Sequence, residues 1–158
     1  MKILYGLQMT QKLNDFLTSI NNKKHATQSG TNAHLLLKHI IIDGDIEFGD
    51  KGLITEIKKH PGLQSFFGVT AKTEVPIAGI INGVFISRRI DRLLINSETK
   101  TIEFIDYKTD TDKSLFIEKY TKQLHEYAQL LQSAYQKYKI IGYILWIQDW
   151  NLEKIINI

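Results

Sequence analysis

Ile102, Phe104, Asp106 and Lys108 occupy every second position of a run, Thr101 to Lys108, that reads as a β-strand. Strand alternation puts their four side chains on one face. A carboxylate and an amine on an otherwise apolar face are costly to bury without partners. The run before it, Val84 to Ile95, carries the same breach, with Asp91, Leu93 and Ile95 on one face. If Ser97-Glu98-Thr99-Lys100 forms a four-residue loop, Asn96 pairs with Thr101 and Asp91 lies opposite Asp106. Facing side chains have Cβ atoms about 4.5–5.5 Å apart. Two carboxylates that close repel unless one is protonated or a cation lies between them. An all-oxygen cluster without cysteine suits a hard ion such as Mg²⁺ or Mn²⁺. Register decides the matter, because a loop one residue longer or shorter, without a bulge, sends the carboxylates to opposite faces.

The elements that must position these groups follow from local signals. Leu7 to Ile20 reads as a modest helix, and a second helix opens at Gly30-Thr31, capped by Thr31 or Asn32, carrying His34, Leu35, Leu36, Leu37, Ile40 and Ile41. Asp43-Gly44-Asp45 and Phe48-Gly49-Asp50 punctuate a loop, followed by a short helix around Leu53–Lys59 and another turn from Pro61 through Phe66-Phe67 to Gly68. From about Thr70 the pattern becomes strand-like: Thr73–Ile80, Val84–Ile95 and Thr101–Lys108, with Asn82-Gly83 a strong hairpin signal between the first two. Leu124, Ala128, Leu131 and Tyr135 then mark the clearest helix. Ile140–Ile147 is a buried strand, and Asn151–Ile158 alternates weakly enough to be an edge strand.

Composition bounds the class. The 158 residues, 43% hydrophobic and 23% charged, fit one α/β domain with a proper core: residues 1–69 mainly helical, residues 70–158 a sheet plus a long helix. No G-x-x-x-x-G-K-[ST] occurs, so the usual nucleotide-phosphate cradle is excluded. Zero cysteines exclude disulfides, thiolate zinc sites, iron–sulfur clusters and thiol nucleophiles. A net charge of +3 tolerates a polyanionic partner without arguing strongly for one. The first residues lack the apolar stretch and cleavage site of a signal peptide. Ile140–Ile147 is far shorter than the roughly 20 residues of a spanning helix. The expectation is a soluble, cytoplasmic chain with no membrane partner.

Thr73-Glu74-Val75-Pro76-Ile77, then Ile90-Asp91-Arg92-Leu93, Ile105-Asp106-Tyr107-Lys108-Thr109 and Tyr120-x-x-Gln123-x-x-x-Tyr127 together resemble the RecB-type nuclease module of the PD-(D/E)xK superfamily, and most of all the nuclease domain that ends AddA-type helicase–nucleases. Gly30-Thr31-x-x-His34 is similar to that family's upstream helix histidine, and Ile141-Gly142-x-x-Leu145-Trp146 to its closing strand. The resemblance implies a restriction-endonuclease-like α/β core, a mixed sheet with helices on both faces, preceded by an N-terminal helical segment. It implies that His34, Asp91, Asp106 and the Tyr107 carbonyl bind Mg²⁺ or Mn²⁺, and that Lys108 positions the attacking water and offsets charge on the phosphoryl group. Gln123 and Tyr127 would complete the family's Q-x-x-x-Y element. Glu74 matches the family's E-V-P strand and is left outside the metal-binding set. The activity implied is metal-dependent, exonuclease-like hydrolysis of DNA in recombination and repair, leaving 5′-phosphate ends. The implied partners are single-stranded DNA or duplex ends and a helicase or AddB-like subunit, without the iron–sulfur cluster of AddB-type modules.

Plainer readings stand beside each of these. Asp106-Tyr107-Lys108 alone is an ordinary strand end with a salt bridge, His34 alone a satisfied helical histidine, and Gln123 with Tyr127 a helix flank. The rival functions are a nuclease-like module that binds DNA or a helicase without cutting, and a structural module whose Asp–Lys pair is only an ion pair. Lys23, Lys24, Arg88, Arg89, Arg92, Lys113, Lys119 and Lys122 are candidate phosphate contacts. Arg88 and Arg89 carry most weight, although adjacent strand residues point to opposite faces, so one of them at most lines the cleft.

Overall fold

Short-range signals account for most of the chain's turns and helix starts. The computed structural model describes residues 26–158, so the expected helix Leu7–Ile20 and the lysines Lys23 and Lys24 lie outside the described residues. The order is α1 (Ala26–Lys38), β1 (Ile41–Asp43), β2 (Ile46–Phe48), α2 (Lys51–Lys58), α3 (Pro61–Gln64) with a 3-10 turn (Ser65–Phe67), β3 (Lys72–Ile81), β4 (Val84–Asn96), β5 (Thr101–Lys108), α4 (Lys113–Ala134), β6 (Lys139–Trp146) and β7 (Asn151–Asn157). Asn82 and Gly83 both take positive φ, 50° and 78°, closing the two-residue hairpin in which Ile81 faces Val84. Asn96 Oδ1 accepts from the Glu98 and Thr99 amides and Lys100 takes φ 53°, which fixes the four-residue loop and the pair Asn96–Thr101. Asp50 and Asp112 cap α2 and α4 by accepting from the Leu53 and Leu115 amides.

Two expectations for the N-terminal part are corrected. Helix α1 begins at Ala26 rather than at Gly30-Thr31. One glycine inside a helix costs only about 1 kcal/mol, which docking of Ala33 and Leu37 in the core outweighs. It also ends at Lys38, so Ile40 and Ile41 are not helical. The stretch from Asp43 to Phe48, expected as loop, belongs with Ile41 and Ile42 to a small β1–β2 hairpin turning at Gly44 with φ 59°.

The five-stranded sheet has the order β3-β4-β5-β6-β7; β5 and β6 run parallel and the other neighbours antiparallel. Helix α4 is the crossover that a parallel pair requires. Pro76 is tolerated because β3 is an edge strand. Alternation along β5 and β6 feeds two cores. Ile105, Tyr107, Leu145 and Ile147 pack with α1, α2, α3 and the 3-10 turn through Leu37, Ile57 and Phe67. Ile102, Phe104, Ile144 and Trp146 pack with α4 through Leu124, Tyr127, Ala128 and Leu131. The molecule is thus an α/β fold with a mixed sheet covered by helices on both faces. No described helix is long and apolar enough to cross a membrane.

Candidate functional site

The site lies where β4 changes face. Ile90 and Leu93 both enter the core beneath α4, three residues apart, whereas strict alternation would separate them. Arg92 between them enters the opposite side. The switch falls at Asp91. On β3 the ladder is regular at Thr73–Arg92 and at Val75–Ile90, and broken at Glu74, the residue that would face Asp91. Glu74 takes φ 53°, a left-handed conformation that costs a non-glycine residue about 1–2 kcal/mol. Such strain clusters at functional positions.

The β4–β5 register is the expected one, running from Asn96–Thr101 to Arg92–Ile105. Beyond it Asp91 substitutes its side chain for a ladder partner. Asp91 Oδ2 accepts from the Tyr107 amide at 2.7 Å, and Oδ1 lies 3.0 Å from His34 Nδ1 on α1. The His34 ring also meets the Tyr107 ring edge-on, 5.4 Å between centroids. Ligand atoms of His34, Glu74 and Asp91 lie within 4.8 Å of one another, close to the separation of donors around one small cation. Glu74, set aside on sequence grounds, therefore belongs to the triangle. Its carboxylate also pairs with Arg89, 2.8 Å from Nε.

Asp106 stands outside that triangle and anchors a second group, on the α4 side. Its Oδ1 accepts from Tyr127 Oη at 3.1 Å and from Gln123 Nε2 at 3.2 Å. Gln123 Nε2 also reaches Tyr127 Oη at 2.5 Å, while Gln123 Oε1 accepts from Lys108 Nζ at 3.2 Å. The single Tyr127 hydroxyl hydrogen serves either Asp106 or the Arg89 carbonyl, which is 3.2 Å away. Lys108 Nζ lies 2.5 Å from Asp106 Oδ2 and 4.1 Å above the Tyr120 ring. Oδ2 therefore has the Lys108 ammonium as its partner in this buried ion pair.

Charge follows from burial and neighbours. Burial raises the Asp106 carboxyl above the ordinary carboxylate range; Lys108 opposes this and the Asp91 charge adds to it. Burial of His34 disfavours its charged form, but the hydrogen bond and charge of Asp91, with Asp106 behind it, outweigh burial and leave its pKa above the ordinary value. Tyr127 is raised by burial and by the charge of Asp106, so its proton is held for donation. The Asp91 charge thus reaches Asp106, although the regular β4–β5 ladder ends at Arg92–Ile105, one step short of the expected Asp91–Asp106 pair.

One expected phosphate contact, Arg92, is corrected. Arg92 is 1% exposed. It donates to Tyr107 Oη, Phe66 O, Leu37 O and Ile40 O, and stacks 4.1 Å over Phe67. Its charge is consumed by carbonyls in the last turn of α1 and just beyond it, and by the 3-10 turn. Lys113 pairs with Asp149. Arg88 pairs with Glu126 on α4 and Arg89 with Glu74, so Arg89 is the one that reaches the His34–Asp91 side. Comparison with protein-family models, with curated proteins and with solved structures found no match to this chain. The site is therefore interpreted from its own donors. Oxygen and imidazole donors without thiolate fit a hard divalent cation.

Proposed function

We propose that the chain is a divalent-metal-dependent nuclease that hydrolyses DNA phosphodiesters, of the RecB-like PD-(D/E)xK type its motifs resemble. The observation that carries this reading is the convergence, at one broken step of the sheet, of the His34–Glu74–Asp91 triangle with a buried Asp106–Lys108 pair. A structural ion pair alone has no use for an additional histidine and an additional glutamate in a left-handed conformation.

His34, Glu74 and Asp91 would hold Mg²⁺ or Mn²⁺; Asp106, which the resemblance adds to the set, pairs with Lys108 on the α4 side. Bound there, the ion would polarise the phosphodiester and lower the pKa of a water. Lys108 is aimed by Gln123 Oε1 and the Tyr120 ring, and its ammonium would orient that water and offset negative charge growing on the phosphoryl oxygens. Water would add to phosphorus as the P–O3′ bond breaks, leaving a 5′-phosphate. Gln123 and Tyr127 position Asp106 and touch no substrate atom in this scheme.

The test is labelled single- and double-stranded DNA incubated with Mg²⁺, Mn²⁺ or EDTA. Cleavage is expected with either ion and none with EDTA. Asp106→Ala and Lys108→Ala should each lower the rate at least a hundredfold while remaining folded. Binding without cleavage would select the non-cutting module instead, and full cleavage by Lys108→Ala would remove the assignment.

A further inference from the structure

Arg89 and Glu74 form an ion pair at the rim of the candidate metal centre, with the Arg89 side chain 68% exposed and the Glu74 side chain 22% exposed. The carboxylate is thus shared between two prospective partners, the guanidinium outside it and the His34–Asp91 donors beside it. We propose that Arg89 is a latch that couples nucleic-acid phosphate to the cation: with no phosphate bound it neutralises Glu74, and a backbone phosphate that draws it away frees Glu74 to bind the ion. This rests on the metal-centre reading above and adds a coupling that reading does not contain.

Three observations support the latch. The pair is mostly exposed at its arginine end, and ion pairs of that kind are weak, so a competitor displaces them readily. A guanidinium presents two parallel N–H donors that match a phosphate at least as well as a carboxylate. The geometry also separates the two neighbouring arginines. Arg88 is engaged by Glu126 from both Nε and a terminal nitrogen, at 3.0 and 2.7 Å, on the α4 side. Arg89 alone of the two touches a residue of the triangle.

Linkage then makes the effect reciprocal: phosphate raises cation affinity by the factor by which cation raises phosphate affinity. Releasing one weak surface pair sets that factor at about fivefold. It would keep the ion from being held at full strength until DNA is present.

The experiment is calorimetric titration of the whole chain with Mn²⁺, with and without a phosphorothioate oligothymidylate, whose backbone keeps its charge and resists hydrolysis. Wild type is expected to bind Mn²⁺ about fivefold more tightly when the oligonucleotide is present. Arg89→Gln is expected to show the tighter affinity without oligonucleotide and no further gain with it, and Glu74→Gln to lose the gain altogether. Arg88→Gln removes the same charge from the adjacent residue and should behave as wild type. If Arg89→Gln binds Mn²⁺ as wild type does, or Arg88→Gln tightens binding equally, the latch is overturned and the metal centre stands. If wild type binds no Mn²⁺, or Asp91→Asn binds it undiminished, the metal centre itself is wrong and the latch goes with it.

Discussion

Arg92 is the residue whose loss should be felt first. Its guanidinium satisfies Leu37 O, Ile40 O and Phe66 O, three carbonyls at the ends of local turns, as well as Tyr107 Oη. Arg92→Ala removes this donor from the Ile40 and Phe66 carbonyls, leaves Leu37 O with only the Ile40 amide, and opens a cavity against Phe67, for a loss of about 3–5 kcal/mol in a urea unfolding titration. Arg92→Lys should recover less than half, because one ammonium cannot reproduce a planar fork. The sequence marks Arg92 as charged and adjacent to Asp91 but carries no sign of its burial, since neighbouring positions on a strand normally face opposite ways and which face is covered depends on α1. Glu74 was illegible for a related reason. Its place in the site follows from a left-handed backbone at a non-glycine residue, which no pattern of side chains announces. Asp91, Asp106, Lys108, Gln123 and Tyr127 were legible because each breaks an apolar face, or flanks one, at a fixed period.

At the level of elements, the parallel β5–β6 pair is stitched by a polar contact as well as by its ladder. Tyr143 Oη on β6 donates to Glu103 Oε1 on β5 at 2.9 Å, and its ring meets Phe66 edge-on. Burial, the hydrogen bond and the Glu103 charge push the Tyr143 hydroxyl up to about 12 from its usual 10. The folded state therefore holds this proton more tightly than the unfolded chain. That contribution is complete below pH 10 and is lost as pH climbs toward 12. Wild type should lose stability across this window more steeply than Tyr143→Phe, measured by urea midpoints at pH 9, 10, 11 and 12; parallel curves would count against the contact. The elements themselves were largely readable. The Asn82-Gly83 turn, the loop ending at Lys100 and the stripe on α4 are local features with strong residue preferences. The β1–β2 hairpin escaped because its strands are three residues long, with Ile46 and Phe48 exposed, so neither length nor alternation distinguishes it from loop. The start of α1 escaped because a good capping sequence at Thr31 sits inside the helix.

For the molecule as a whole, a bound cation is expected to act on stability. The triangle joins α1, β3 and β4, three elements that separate on unfolding. A ligand at a hundred times its dissociation constant adds about 2.7 kcal/mol, and a domain of this size shifts by about 2–4 °C per kcal/mol. Mn²⁺ at saturating concentration should raise the melting temperature of the wild type by about 5–10 °C in a thermal scan. Asp91→Asn should abolish most of that rise, and an equal rise in the variant would place the ion elsewhere.

The left-handed backbone at Glu74 has a consequence for how the chain can vary. Glycine is the residue that accepts such a φ without penalty, and at this position it would also remove a carboxylate crowded against Asp91. On durability alone, position 74 favours glycine over the residue it carries. A chain that settles there would be sturdier and would have surrendered a donor from its cation triangle, so endurance and chemistry pull this single position in opposite directions.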